Sequence, residues 1–461
     1  MRVLGLLVGL ASVALTCLGE EGPSEASLRR AFEAQFPKSE ASAAALELER
    51  LAALLGVELA PKVEPPPVAE SPREEREEHE DQAPDAEGDE TVAVEVEERP
   101  TVPVLRVEDN RARPSVEAAA ANQAVQSALR VFLEGELRRT EERVGVPPRA
   151  VERFLADHEA ELTTIVSVLL SEQSLQWEMD VTRKEEPLTP NLLGQIQLQR
   201  LLVTRALLEM RRMEPLAADQ TLAASWRLNE ALSARPELIS HLIVVAVAKY
   251  QAGAVRKLVE PAAGWADRFR SREFFLRFMA VFENTFLRLP ITEGLTAEEE
   301  AAGRALGAMA DELQSQDLCS WTSKGMQQGW ERVLDDQFAA DDPGRGWVET
   351  LALNLTDVLA RWHRYLIDAE LTSLVSDARA ERAASRDGAW PAKLLTLGAG
   401  ICPPESWAYR PSAKGTVTLA FVGALAEDES PGIRLPLTFT AGVPAAAPRR
   451  TTPAKKRVVN R

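Results

Sequence analysis

Glu237 and His241 come nearest to a reactive pair: four residues apart, they would share one helix face and could begin a divalent-metal site. The residues around them do not make HExxH, and the Glu-x-x-His pairs of di-iron bundles do not occur. A histidine held in the core by a hydrogen bond is the better reading, so no metal and no cofactor is expected. Four His in 461 residues leave little material for a base or a ligand set. His79 stands in an acidic run, His158 in ADHEAEL on a face expected to be solvated, and His363 in ARWHRYL, packed at a helix edge by Trp362 and Tyr365.

No G-x-S-x-G elbow, S-x-x-K, P-loop, dinucleotide glycine run or C-x-x-C-H is present, and no catalytic residue is singled out. Carboxylates are plentiful, but an opposed acid/base pair has to be set by the fold. A hydrolase acting on an envelope polymer, with acidic residues and His241 in a groove, is therefore the competing enzyme reading.

The three cysteines carry more information. Arg2, the apolar run Val3 to Leu15 and the small residues before Glu20-Glu21 read as an export signal over residues 1–19. Ala14-Leu15-Thr16-Cys17 is like a bacterial lipobox, in which Cys17 would be lipidated and become the first residue, although Ala14 and Thr16 depart from the usual choices. Cleavage after Gly19 is the equal alternative. Either cut leaves Cys319 and Cys402, which in an oxidising compartment could form a disulfide or stay as two buried thiols. A bridge closing so long a loop would contribute about 3–4 kcal/mol if unstrained.

The net charge is −18, unevenly spread: residues 70–100 hold 14 acidic and 3 basic side chains, whereas residues 449–461 hold six basic and no acidic ones. A body this acidic repels phosphate backbones, so nucleic-acid binding is not expected. Residues 61–114, rich in Pro and Glu and free of aromatics, read as a disordered acidic linker. Residues 20–60 hold a short helical segment with Leu48, Leu51 and Leu55 at helical spacing, marginal by itself and able to dock on the body or on a partner. Residues 443–461 form a basic, Pro-rich tail.

All nine Trp fall between Trp177 and Trp407, which locates the folded mass. Its centre is Pro215 to Pro261, read as two packed helices. Leu222 and Trp226 lie on the first; Leu238, Ile239, Leu242, Ile243, Val244, Val245 and Val247 lie on the second, with Pro236 in its first turn. The second is read as too short and polar to span a bilayer. Ser115 is a good N-cap for the helix that opens the body. One helix from ERFLADHEAEL onward, another with Leu193, Ile196, Leu201, Leu207 and Met210 as core, an Ala-Gly-rich one from Thr296 to about Gln316, one from Lys324 to Ala340 and a long one from Trp347 complete it. Near the end, Thr416–Val422 and Ile433–Phe439 alternate as strands of a hairpin, with Pro436 suited to an edge.

The junction before that hairpin carries a resemblance. Arg382-Ala383-Ala384 ends the long helix, Asp387-Gly388-Ala389-Trp390-Pro391 and Leu394-Leu395 follow, and Trp407-Ala408-Tyr409-Arg410 precedes the strands. This order resembles the C-terminal part of type II secretion pseudopilins, where a Gly-x-aromatic-Pro segment turns a helix into a small sheet. It is also similar to the ends of large uncharacterised bacterial envelope proteins with a helical body. The resemblance covers residues 366–442 and implies one helix packed on a small sheet, in a secretion accessory. The family's prepilin leader and hydrophobic N-terminal helix are not matched, so a filament is not implied. Independently of kinship, Gly388 can end the helix, Pro391 biases Trp390 towards extended backbone, and the Trp390 ring can fill the corner.

The fold expected is mainly α: an irregular antiparallel helical bundle over residues 115–386 with a small C-terminal β-hairpin subdomain over residues 387–442. The function expected is that of an exported, non-catalytic binding or scaffolding module. Its location would be the periplasm, the outer membrane or the exterior. Its partners would be envelope proteins or envelope polymer, with membrane contact only through a lipid on Cys17.

Overall fold

A computed structural model describes residues 36–61, 111–181, 190–258, 264–288, 318–320, 323–339, 343–413, 415–423 and 437–442, together with residues 30, 33 and 34. The export segment with Cys17, most of the acidic stretch with His79, the helix expected from Thr296, Pro436 and the basic tail lie outside the described residues.

Helix α1, Ala43–Leu54, starts where the Ser42 hydroxyl accepts from the Ala45 amide at 3.2 Å. It docks on the body. Leu48, Ala52, Leu55, Val57 and Leu59 are fully buried, and Leu48 and Leu51 join Leu129, Leu162, Ile165, Leu198 and Leu228 in one apolar cluster. The body closes the face that the helix could not bury by itself. Upstream, Ser39 and Met179 exchange both backbone hydrogen bonds, at 2.8 and 2.9 Å. Downstream, Pro61 is buried, and after the acidic stretch Arg111 pairs with the buried Glu49 at 2.8 Å. The acidic stretch therefore leaves and re-enters the same body.

Helix α2, Val116–Leu137, is capped by Ser115. The single helix expected after Pro148 is two, α3 (Arg149–Asp157) and α4 (Glu159–Leu170), with His158 at the break. The His158 ring lies 4.6 Å from that of Phe154, a local contact that apolar periodicity does not register. Helix α5, Leu192–Arg211, is capped by Asn191, and Leu193 is 68% exposed although its apolar type suggested core.

The central pair is α6, Pro215–Ser233, and α7, Leu238–Val255. Pro215 occupies the first turn of α6, whereas Pro236 precedes the N-cap of α7, two residues before the first-turn place expected for it. Along α7, Ile239 is 51% exposed while Ser240, His241 and Gln251 are buried, because polar partners rather than apolarity decide this face. Among the described residues α7 is the one helix long and apolar enough to cross a bilayer, contrary to the estimate from its length and polar positions. Its packing on α5, α6 and a later helix marks it as a core helix, 67% buried.

Helices α8 (Trp265–Arg270) and α9 (Glu273–Arg288) bring an aromatic group against α6: Trp226 stacks on Phe274 at 4.7 Å and meets Trp265 edge-on at 5.8 Å. Helix α10, Ser323–Gln337, lies on α11, Pro343–Ala384, a helix of 42 residues. Helix α11 ties the bundle to a sheet. Gly388 (φ +64°) turns the chain, the Arg382 guanidinium covers the Trp390 ring at 4.5 Å, and the Trp390 indole N–H donates to the Gly415 carbonyl at 2.8 Å.

The sheet has three antiparallel strands in the order β1 (Trp407–Pro411), β2 (Val417–Phe421), β3 (Thr438–Ala441), where two were expected. Strand β1 was missed because WAYRP lacks a clean alternation and ends in proline. Val417, Leu419, Phe439 and Ala441 face Leu371, Leu374, Val375 and Ala378 of α11. The described chain is thus mainly helical with a small C-terminal sheet.

Candidate functional site

The chain reaches His241 through a tight turn, and that turn engages the ligand pair. Arg235 donates twice to the Glu237 carboxylate, at 3.0 and 2.7 Å, and the Ser240 hydroxyl adds a bond at 3.1 Å. His241 is fully buried, with Nε2 at 2.9 Å from the Arg235 carbonyl. A carbonyl only accepts, so Nε2 carries the proton. Burial holds its pKa down at about 4, against the pull of that carbonyl and of Glu237. Glu237 and His241 thus serve one structural turn. Among the described residues no group of three or more His, Cys, Asp or Glu could hold a metal ion.

Two other clusters hold buried ionic chemistry, and both sit on α11. The first joins the bundle to the sheet. Arg256, at the end of α7, lies 2.8 Å from the Asp368 carboxylate and donates to the Thr372 hydroxyl at 2.7 Å. Arg379, three turns further along α11, donates to Glu142 at 2.5 Å and to the Arg256 carbonyl at 2.6 Å. The other Glu142 oxygen accepts from the Gly442 amide at 2.7 Å, just past β3. Lys257 donates to the Glu141 carbonyl at 2.9 Å and stands 3.5 Å from the Glu136 carboxylate. Burial brings its pKa down to about 8, opposed by Glu136. Three buried cations thus meet three carboxylates, of which Glu142 alone keeps partial exposure. Such an arrangement suits a strut, since a substrate has no exposed charge to reach.

The second cluster surrounds Cys319 and Cys402, which are joined with Sγ–Sγ 2.18 Å and Cα–Cα 4.9 Å. The Glu370 carboxylate accepts from the Ile401 and Cys402 amides at 3.0 and 3.1 Å, and a side chain at Gly400 would strike it, a Cβ there falling 2.2 Å away. Burial pushes the Glu370 pKa up against those bonds and Arg272. Two turns earlier on the same face, His363 is fully buried, not at an edge. Burial lowers its pKa to about 4, while the backbone of Leu318 and Cys319 works against the shift.

None of the ionic residues of the junction was singled out from sequence. A signal existed: Asp368, Thr372 and Arg379 fall at helical spacing within the apolar stripe of α11, where a solvated charge would be out of place. Their partners Arg256 and Glu142 lie more than one hundred residues away, and no local pattern points to them.

No protein-family model, no curated protein and no solved structure matches this chain.

Proposed function

We propose that this chain is an exported, non-catalytic protein of the cell envelope that binds or scaffolds envelope components. One observation carries the non-catalytic part: His241, His363, Lys257 and Glu370, whose proton affinities burial alters, are all engaged in holding one element against another. The export part rests on Arg2, the apolar run to Leu15 and the small residues before Glu20. If Cys17 is lipidated, the link from membrane to body is the chain between Cys17 and Phe36, because the acidic stretch begins and ends on the body.

Intact mass of the protein from its native host tests the export reading. An acylated mass beginning at Cys17, or an unmodified one beginning at Glu20, supports it, and retention of Met1 overturns it.

A pseudopilin-like secretion accessory is the second reading, favoured by one arrangement: a helix that ends at Gly388, turns at Trp390-Pro391 and packs on a small antiparallel sheet. The sheet offers little backbone for further pairing. The β3 edge is met by the Thr440 amide bonding to the Thr140 carbonyl at 2.6 Å, and the β1 edge ends in Pro411. Truncation before Trp390 in the host discriminates: a secretion accessory loses export of type II substrates, and an envelope scaffold leaves it unchanged.

A further inference from the structure

The helices α5, α6 and α7 pack on one another and are joined by short turns, so consecutive ones run antiparallel. The C-terminus of α5, the start of α6 and the C-terminus of α7 therefore share one end of the bundle. The turn from α5 into α6 projects from that end: Arg211, Arg212, Met213, Glu214, Pro215 and Leu216 are all exposed. Met213 is 78% and Leu216 81% exposed, two large apolar side chains in solvent. Met213 also has φ +64°, at a helix end where glycine is the usual residue.

Lys257, just past α7, holds the Glu141 and Arg143 carbonyls at 2.9 and 3.4 Å, which brings Arg138 and Arg143 to the same end. Arg138, Arg143, Arg211 and Arg212 are exposed, and no carboxylate among the described residues pairs with them. Glu141 and Glu214 are the exposed acids beside them in sequence. The Glu142 carboxylate accepts from the Gly442 amide at 2.7 Å, so the chain leaves its last strand here as well. Beyond Gly442, residues 449–461 carry six basic and no acidic side chains.

The acidic stretch is held at the opposite end. Asn191, which caps α5, donates to the Glu58 carboxylate at 3.2 Å, Gly194 lies against the Glu58 carbonyl, and Arg113 stands 3.8 Å from the same carboxylate. Both ends of the stretch thus sit about 30 Å from Arg211, the length of the 20-residue helix α5. At ordinary ionic strength, charges more than about 10 Å apart are largely screened. The net −18 of the chain therefore does not set the sign of this end.

We propose that this end of the bundle is a docking surface for an anionic lipid bilayer: the four arginines meet the lipid phosphates, and Met213 and Leu216 enter the headgroup boundary. Arginine suits phosphate because its planar fork donates two parallel hydrogen bonds. Apolar side chains set among cations bury surface in a bilayer that a soluble polyanion would leave wet. The contact is separate from any lipid on Cys17 and does not depend on export, so its failure would leave the proposed envelope role untouched.

Met213 reports on the contact directly, because its exposed sulfur is open to oxidation by dilute hydrogen peroxide. The full chain is treated with peroxide in the presence of phosphatidylglycerol or phosphatidylcholine vesicles, and the Met213 sulfoxide is followed by mass spectrometry. Docking predicts oxidation slowed by roughly fivefold or more on phosphatidylglycerol alone. The protection should be lost at about 1 M salt, where the Debye length falls to about 3 Å, and in R211E/R212E. Both arginines are exposed, so that variant should keep the urea midpoint of the parent. L216S, which keeps every charge, should need roughly tenfold more lipid for the same protection. Equal oxidation rates on the two lipids overturn the proposal. So does protection that survives in R211E/R212E, and truncation after Gly442 then tells whether the basic residues 449–461 or another surface holds the lipid.

Discussion

The centre of the bundle and its junction with the sheet are both largely buried, yet they are held by opposite kinds of polar group. Around Ser225, where α5, α6 and α7 meet, the contacts are neutral: Ser225 donates to Gln199 at 2.5 Å, Gln251 donates to Ser225 at 2.8 Å, and Asn229 donates to the Val244 carbonyl at 3.1 Å. At the junction they are ions, Arg256 with Asp368, Arg379 with Glu142 and Lys257 with Glu136. Amides fix the register of three helices with groups that do not titrate. Ion pairs tie segments distant in sequence, here Glu142 and Arg379, and make that tie sensitive to proton activity and to loss of one partner. The amide contacts should therefore tolerate pH change better than the ion pairs of the seam.

Two neutral imidazoles are buried as well, His241 at the start of α7 and His363 on α11 beside the disulfide, and they give the largest expected effect. Both ordinary values are 6.5 and both folded values are about 4. Below pH 6.5 the unfolded chain takes up two protons that the folded chain refuses, so stability falls until the folded sites themselves protonate near pH 4. At roughly 1.4 kcal/mol per pH unit for each group, the loss is about 3 kcal/mol per histidine. Urea unfolding from pH 7 to 4 should show it. A flat profile would remove both groups as the cause, and H241Q and H363Q should each remove about half of a sloping one.

Next in size is R379A, which leaves the partly buried Glu142 without its cation and should cost about 3 kcal/mol, the lower end for a buried pair. The double variant R379M/E142Q, which keeps an acceptor for the Gly442 amide, should recover most of that loss. If R379A costs less than about 1 kcal/mol, the range of an exposed pair, the seam is not held by charge and the contrast with the bundle fails.

Lys257 sharpens the same contrast from the alkaline side. Its folded value of about 8 lies below its ordinary 10.5. Between those values the unfolded chain holds a proton that the folded chain has released, so stability rises with pH, by up to about 3 kcal/mol over the whole window. The comparison is best made from pH 8 to 9, below the ordinary tyrosine value of about 10. K257M should abolish the rise; if it persists in K257M, Lys257 is not its source.

The difference between the regions also explains what could be read from the residues alone. Ser115 as a cap, Trp226 and Leu222 as core, and the alternation of Val417, Leu419 and Phe421 are local signals, and the helices and the β2 strand were legible from them. The burial of α1 and the strand at Trp407 depend on partners elsewhere, and the break at His158 comes with a local ring contact that apolar periodicity does not register. The junction was the least legible of all: Asp368 and Arg379 look like ordinary helix charges until Arg256 and Glu142 are brought to them. As for the first candidate, Glu237 and His241 do share a turn, but Arg235 stands between that turn and any cation.

The smallest effect should come from the amide network, and its sign pattern matters more than its size. S225A removes the hydroxyl that donates to Gln199 and accepts from Gln251, leaving two buried amide atoms without that partner. The Gln199 amide still donates to the Ser225 carbonyl at 3.1 Å, so the helices keep one direct tie and the cost should be about 1–3 kcal/mol. No group in this network titrates between pH 4 and 10. The S225A penalty should therefore be the same at pH 5, 7 and 9, whereas that of R379A should vary as the junction titrates. A pH-dependent S225A penalty would show that the two regions unfold as one coupled unit, and that the neutral centre depends on the charged seam for its stability.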